Sequence, residues 1–355
     1  MKQLFLYNLG ILEGLSRGGL GFMAEKNISI AADRDNPNLI LILLLLNKWG
    51  YVSGEDISKK LGVTRSAIWK QVNNLREMGY EIESSTRLGY RLVNSPDLIL
   101  PEEIWSKAKL ELLGKNIHYF SSIGSTNEKA KKLAISGAPS GTLVVAEQQT
   151  SGKGRLGRQW VSPSRTGICV SIILRPEMAP YEAPKLTLLT AVAACETIRK
   201  QTGLLAQIKW PNDILIDGKK ICGILTEISA ELDRINYVVI GIGINVNNYY
   251  FPEELIDRAT SLSLILGRKL NRKELLVGFL ESFESHYNLA LKDNFKEVMT
   301  KWRKLSCNLG RHVKITGKAY SFEGNAIDID DEGALLVKKD NGEIERVFSG
   351  DVSLR

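Results

Sequence analysis

The hydrophobic pattern of this 355-residue chain changes period along its length, and each change marks a different kind of structure. Leu39 to Leu46 is an unbroken run of eight apolar residues. That is far short of the roughly 18 needed to span a membrane, so it predicts a buried helix, capped by Asn38 and running on to Trp49-Gly50. Ser53-Gly54-Glu55-Asp56 resembles a capping box opening a second helix, which stops at Gly62. After the turn Gly62-Val63-Thr64, residues Ile68, Val72 and Leu75 recur at helical spacing on one face, leaving Arg65, Ser66, Lys70 and Gln71 outward. Two short helices joined by a glycine-containing turn predict a helix-turn-helix. Glu81 to Leu92 then reads as a small hairpin with a basic tip at Arg87, a wing.

Ser95-Pro96-Asp97 is the expected hinge to a second domain. Residues 98–306 alternate between helical and strand-like patterns, as an α/β or α+β domain would. Beyond them 312–315, 319–329, 334–339 and 344–347 read as short strands. Turns at Asp330-Asp331-Glu332-Gly333 and Asn341-Gly342 join them, the latter a type I′ hairpin signal. Four or five strands in so short a span predict a small SH3-like barrel. The fold class is therefore α+β and multidomain. A winged helix-turn-helix occupies 38–96, a central α/β domain 97–306 and a β-barrel 307–355.

Composition adjusts this picture only slightly. Charged residues at 25% and hydrophobic ones at 44% are ordinary for a soluble globular protein. A net charge of +7 hints at a polyanionic partner, although a solvated lysine-rich surface gives the same number. From Asn38 to Pro96 eight Lys/Arg face five Asp/Glu, and the excess sits on the second helix of the pair and on the hairpin, where phosphates would lie. Thr64, Arg65, Ser66, Lys70, Gln71 and Arg87 are the candidate DNA contacts; the alternative is an interaction module that touches no DNA. Cys169, Cys195, Cys222 and Cys307 form no CxxC pair, which suits buried thiols in a reducing cytoplasm. His118, His286 and His312 are isolated, so zinc-site and catalytic-triad readings lack their ligand spacing. Met1 to Phe22 is apolar and glycine-rich without a cleavage site. Met23-Ala24-Glu25-Lys26 would be a natural start, so 1–37 is expected to be a disordered or misassigned extension.

Four constellations carry chemistry. Ser125-Thr126-Asn127-Glu128 opens a helix after the strand Ile117 to Phe120. Its hydroxyls, amide and free N–H groups suit a small polar ligand, and a plain capping box fits equally well. Gly152-Lys153-Gly154-Arg155-Leu156-Gly157-Arg158 sets three cations among three glycines, a loop able to cradle phosphate. It matches GxGxxG, but strands precede and follow it (Leu143 to Ala146, Ile168 to Leu174), so a Rossmann crossover does not fit. Lys209-Trp210-Pro211-Asn212-Asp213 leads into two apolar strands around an Asp217-Gly218 turn, with Lys220 needing an anionic partner on an apolar ribbon. Gly241 and Gly243 alternate along the strand Val238 to Asn247, leaving either a bare surface for a flat ligand or a site of tight packing.

In this order the segments resemble the signature of biotin protein ligases: Ser125-Thr126-Asn127, the loop Gly152 to Arg158 with Trp160, Lys209 to Asp213, Lys220 to Leu225 and Gly241 to Asn245. With the winged helix in front and the β-domain behind, residues 38–355 resemble the bifunctional type that also represses the biotin operon. The resemblance implies a class II synthetase-like mixed sheet in the central domain and an SH3-like barrel behind it. It implies biotin contacts from Ser125, Thr126, Asn127, Gln149, Gly152, Lys153, Gly154, Arg155, Lys220, Gly241 and Gly243. ATP contacts would come from Arg155, Arg158, Trp160, Asn212 and Asn245. Lys153 departs from the arginine many members carry, keeping the charge but losing the bidentate fork.

The implied substrates are ATP and biotin, with Mg²⁺. The implied partners are a biotin carboxyl carrier protein, operator DNA and, once the adenylate is bound, a second copy of the chain; the implied location is the cytoplasm. The biotin carboxylate would itself attack the α-phosphate, so the protein needs no nucleophile. Lys220, Arg155 and Lys153 would neutralise developing charge. Three other readings stay open: a biotin-sensing repressor without ligase activity, a lipoate-type ligase on the same scaffold, and a ligase whose amino-terminal domain is a structural remnant.

Overall fold

The computed structural model describes residues 39–47, 50–317 and 320–354. The expected cap Asn38, the helix end at Trp49 and the extension 1–37 lie outside the described residues. Two compact units emerge, one ending at His118 and the other beginning at Tyr119.

The first unit holds α1 (Leu39–Leu46), α2 (Gly54–Leu61), α3 (Arg65–Glu77), the hairpin β1 (Glu81–Ser85) and β2 (Gly89–Asn94), and α4 (Pro101–Trp105). Ser53 Oγ accepts the N–H groups of Glu55 and Asp56 at 3.1 and 3.3 Å, which starts α2. Gly62 ends it in the left-handed region at φ 64°, a conformation glycine adopts without steric cost. Thr64 Oγ1 accepts from Ala67 N–H and starts α3. Ile40 to Leu45 of α1, Ile57 of α2 and Ile68, Val72 and Leu75 of α3 are all buried and form the core.

The boundary expected at residue 96 is corrected. Leu98, Ile99 and Leu100 are buried, α4 packs on α1, and Tyr80 Oη donates to Glu103 Oε1 at 3.2 Å. The segment from residue 97 to the start of β3 therefore goes with the first unit, where α4 covers the leucine-rich α1.

The second unit is built on a seven-stranded sheet in the order β3-β4-β5-β9-β8-β7-β6. Its strands are β3 (Ile117–Phe120), β4 (Leu143–Ala146), β5 (Ile168–Leu174), β6 (Gln207–Lys209), β7 (Asp213–Ile216), β8 (Lys219–Ala230) and β9 (Ile235–Ile244). Neighbours from β4 to β6 pair antiparallel. The segments just beyond β3 and β4 run parallel, Ile123 bridging to Gln149, because α5 (Thr126–Ile135) carries the chain across; the sheet is mixed. One face packs on α5 through Ala130, Ala134, Val144, Ile173 and Val239. The other is covered by α6 (Pro184–Thr202), whose Thr187 hydroxyl lies 2.8 Å from that of Thr226. Behind α6 pack α8 (Arg272–Asp293) and α9 (Lys296–Leu305), and a short α7 (Leu262–Leu266) precedes them. Asp217 and Gly218 both have positive φ, 48° and 79°, so the predicted hairpin turn is of type I′.

The last five strands form a second, antiparallel sheet in the order β13-β12-β11-β10-β14. They are β10 (His312–Thr316), β11 (Ser321–Ile329), β12 (Leu335–Lys338), β13 (Ile344–Val347) and β14 (Asp351–Leu354). Asn341-Gly342 does not make the predicted type I′ turn, since only Gly342 has positive φ, at 87°. Gly342 N–H donates to Lys339 O and Lys339 N–H to Glu343 O, a three-residue loop closed by a glycine bulge. Asn341 Oδ1 accepts Glu343 N–H at 3.0 Å, so the side chain satisfies the turn in an ordinary backbone conformation. Trp210 locks this sheet to the larger one, its backbone N–H donating to Asn308 Oδ1 at 2.7 Å and its indole to Gly333 O at 3.1 Å. Among the described residues no helix is long and apolar enough to cross a membrane.

Candidate active site and nucleic-acid interface

At the start of α5 the expected cap forms: Ser125 Oγ accepts Glu128 N–H. Glu128 does not reach back to complete a capping box. Its carboxylate lies 2.8 Å from both Lys131 Nζ and Lys153 Nζ, and these two, Lys131 first, hold its pKa down at about 2. Thr126 donates through N–H and Oγ1 to Gln149 Oε1 at 2.8 and 3.0 Å. Ser171 Oγ donates toward Thr126 Oγ1 and Asn127 Oδ1 at 2.8 and 2.6 Å, while Asn127 Nδ2 donates to Leu225 O and Glu227 Oε2. Thr126, Asn127 and Gln149 thus form one polar network across β5, β8 and the end of β4.

The glycine loop lies between strands, as predicted, and each of its cations has a protein partner. Lys153 meets Glu128, Arg155 donates to Asn212 Oδ1 at 2.9 Å, and Arg158 pairs with Asp351 of β14. Burial lowers the Arg155 pKa, with Asp351 and then Asp213 pulling it the other way. Gly152 sits where a Cβ would strike the backbone of Trp160, and Gly154 receives only ordinary contacts. Leu156 bends the loop at φ 57° with its side chain 60% exposed.

Lys220 has the anionic partner its setting demanded: its Nζ lies 2.6 Å from Asp213 Oδ1 and 5.7 Å from the centre of the Trp160 ring. The room left by the glycines is occupied by the protein itself. A Cβ on Gly241 would collide with the Asn127 amide, one on Gly243 with the Trp160 indole, and one on Gly223 would come within 3.0 Å of Lys220. The bare strand is therefore tightly packed, and the flat body lying against Gly243 is the indole of Trp160.

Asn245, expected beside ATP, is buried and bonded into the backbone around Lys220. Its N–H donates to Ile221 O and its Nδ2 to Thr260 O. The segment containing Thr260 in turn pairs with Lys220, Lys220 N–H donating to Arg258 O and Thr260 N–H to Lys220 O. Sequence reasoning assigned no part to Ser171, Glu227, Asp213 or Asp351. Ser171 had a signal, the one hydroxyl in the apolar run Ile168 to Leu174. Asp351 had none, since it meets Arg158 across 193 residues.

Beneath the site, Arg272 Nη1 lies 2.8 Å from Glu147 Oε2 and donates to Gly167 O at 2.9 Å, with both charges almost fully buried. Glu147 also accepts from Tyr119 Oη, and burial followed by the Glu147 charge pushes that phenol's pKa up. His286 is structural, paired with Glu196 at 2.7 Å. Among the described residues no three His, Cys, Asp or Glu converge as metal ligands. All four cysteines are buried and free, with burial raising Cys169 to about 11 and Cys195 to about 12. A cleft of about 420 Å³ reaches Arg155 and Asn212 at one end. Its other walls come from the start of α6, from Ile224, Thr226 and Ile228 of β8 and from the last domain at Gly333 and Phe348, so it lies apart from the polar network on the α5 face.

In the first unit α3 presents Arg65, Ser66 and Lys70 to solvent, with Gln71 half-buried. The hydroxyls of Thr64 and Ser66 bond one another at 2.9 Å at the helix start. Arg87 is exposed at the wing tip. Arg76 braces the wing from behind, donating to Ile82 O at 2.7 Å and Ser84 Oγ at 2.6 Å.

A profile of the biotin/lipoate A/B protein ligase family matches residues 119–245. One of the HTH domain matches 38–91, and one of the biotin protein ligase C-terminal domain matches 309–355. The chain is similar to the bifunctional ligase/repressor BirA of Bacillus subtilis, 42% identical over 86% of this chain and 94% of that one. It is similar to the bifunctional ligase/repressor BirA of Escherichia coli at 29% over 91% and 98%. Among solved structures it is similar to the biotin protein ligase of Aquifex aeolicus in complex with biotin and ATP. The identity is 33% and the TM-score 0.59, covering 68% of this chain and 99% of that one.

Proposed function

This chain belongs to the biotin protein ligase family, in its bifunctional ligase and repressor branch, and from that membership we propose how its residues divide the work. The protein is an ATP-dependent ligase that joins biotin to AMP and passes it to a lysine of an acceptor carrier protein, and a repressor that binds DNA through its helix-turn-helix. The observation that carries the residue assignment is Lys220, held by Asp213 beside the indole of Trp160.

The biotin carboxylate attacks the α-phosphate of ATP, and pyrophosphate leaves. Charge builds on the phosphate oxygens in that step, so preorganised cations lower the barrier. Lys220, Arg155 and Lys153 supply them, exchanging Asp213, Asn212 and Glu128 for substrate oxygens. Ser125, Thr126, Asn127 and Gln149 hold the biotin head group, with Gly152, Gly154, Gly241 and Gly243 permitting the close approaches around it. Trp160, Asn212, Arg158 and Asn245 serve the nucleotide side, Asn245 through the Lys220 segment. Closure of the loop over the mixed anhydride excludes water until the acceptor amine attacks.

Among the described residues the donor set lacks a complete cage for a divalent cation. It fits Mg²⁺ that arrives bound to the nucleotide, with Asp213 as the carboxylate to hold it; the ion would add neutralising charge. The last sheet acts as an SH3-like barrel spanning 307–355 that steadies the loop through Asp351. Thr64, Arg65, Ser66, Lys70, Gln71 and Arg87 meet operator DNA, which the loaded protein binds as a homodimer in the cytoplasm.

The test is to mix the protein with Mg-ATP, biotin and a biotin carboxyl carrier domain and weigh the carrier. An ATP-dependent gain of one biotin, slowed about 100-fold or more in Lys220→Met, is expected. A gain with lipoate in place of biotin would overturn the substrate assignment.

A further inference from the structure

On the outward face of α3, between Arg65 and Lys70, stands a side chain that the ligase and repressor readings leave without a task. Trp69 is 61% exposed, on the flank of the stripe along which α3 buries Ile68, Val72 and Leu75. It lies four residues after Arg65 and therefore directly above it on the helix surface, as Lys70 lies above Ser66. The four form one patch, two cations flanking an indole and a hydroxyl, in the first half of the 13-residue recognition helix. The N-terminal half of such a helix is the part that meets base edges in the major groove.

We propose that Trp69 is a specificity-determining residue that reads thymine, packing its indole on a C5-methyl group of the operator; this rests on the reading of α3 as the operator-binding helix. The flanking cations satisfy phosphates, which carry no sequence information, so they position the helix without choosing a site. The indole carries no charge and one N–H donor, and most of its exposed surface is an apolar face that a phosphate leaves without a partner. Along the major-groove edges of the four base pairs the apolar feature is the thymine methyl. A large aromatic ring is also stiff, so little conformational freedom is lost when it docks. Held by a helix capped at Thr64 and cored by Ile68, Val72 and Leu75, the ring is presented at a fixed depth.

The experiment uses the full chain with biotin and Mg-ATP. Wild-type protein selects duplexes from a random-sequence pool, and each thymine of the selected site is then replaced singly by deoxyuridine, which lacks only the methyl. At one or more symmetry-related positions the replacement is expected to weaken wild-type binding roughly tenfold, the usual scale of one lost base contact. Trp69→Ala is expected to lose the same factor on the thymine duplex and to be indifferent to uracil there, while Trp69→Phe keeps most of the discrimination. Carrier biotinylation at the wild-type rate confirms that each variant is folded. Unchanged affinity of Trp69→Ala overturns the proposal. So does a weakened variant that remains as sensitive to every uracil as wild type, since the indole would then be packing on the sugar-phosphate backbone. Selection of no sequence by the wild-type protein overturns the operator-binding reading itself, and this proposal with it.

Discussion

Lys220 and Gly223 are three residues apart on β8, yet a Cβ on Gly223 would come within 3.0 Å of both Lys220 Cε and Nζ. In a regular strand residues three apart face opposite sides. The β7–β8 register slips here, Ile214 opposing Cys222 while Leu215 opposes Lys220, so Ile221 is an extra residue. This bulge turns Lys220 onto the Trp160 side, and Asn245 N–H takes up the carbonyl of Ile221. A lysine so placed can leave Asp213 for a phosphate oxygen with little rearrangement of the backbone. Lys220→Met should slow adenylate formation by about 100-fold or more, the scale of losing one preorganised charge partner. Biotin affinity should change less than tenfold. Pyrophosphate release in a single turnover, set against calorimetric biotin binding, separates the two.

If Asn245 works by holding the segment that pairs with Lys220, its removal should be felt in the chemical step. Asn245→Ala leaves the part-buried carbonyl of Thr260 without its side-chain donor, which costs about 1 kcal/mol of stability. It should also lower the adenylation rate by about tenfold while leaving the KM for biotin nearly unchanged. A rise confined to the KM for ATP would mean instead that the amide touches the nucleotide directly.

Gly243→Val tests the packing of Trp160. The new side chain must displace the indole, an overpacking that costs about 1–3 kcal/mol. Lys220 would lose the ring beneath it, so the KM for ATP should rise and the tryptophan emission should shift to the red. Unaltered emission with wild-type kinetics would show that the indole has another resting place.

Much of this arrangement was legible in the sequence, for identifiable reasons. Strands β4 and β5 are short apolar runs bounded by polar loops, so their limits could be read directly. The Asp217-Gly218 turn declared itself because both residues tolerate positive φ. The failures were long-range or local competitions. Nothing in the spacing joins Arg158 to Asp351, or Arg272 to Glu147, since these contacts arise only when the sheet closes. At Asn341-Gly342 the asparagine side chain found a local hydrogen bond that the dipeptide rule does not weigh. The hinge at 95–97 misled because its composition is turn-like, whereas α1 still requires α4 to cover its leucines.

The buried pair beneath the site gives a stability prediction. Arg272→Met takes the guanidinium away from the buried Glu147 carboxylate and should cost about 3–5 kcal/mol, read from urea unfolding. Replacing both residues, Arg272→Met with Glu147→Leu, should recover much of that loss because no charge is left without its partner. A double variant as unstable as the single would show that the pair does more than neutralise itself.

Glu128 supplies the pH dependence. Its carboxyl, held at about 2 by Lys131 and then by Lys153, would titrate near 4.5 in the unfolded chain. A depressed carboxyl favours the folded state fully above 4.5, and that contribution fades as the pH falls toward 2. The side chain is 37% exposed, so solvent screening keeps the contribution small. Glu128→Gln removes it at every pH. The difference in urea midpoint between wild type and Glu128→Gln should therefore be constant from pH 7 to about 5 and narrow between about 4.5 and 3. A difference that widened on acidification would place the stabilising proton on the folded side and overturn the assignment. Because the same carboxylate anchors Lys153, the variant should also close its loop differently at neutral pH, with faster loss of bound adenylate measured by chase with unlabelled biotin.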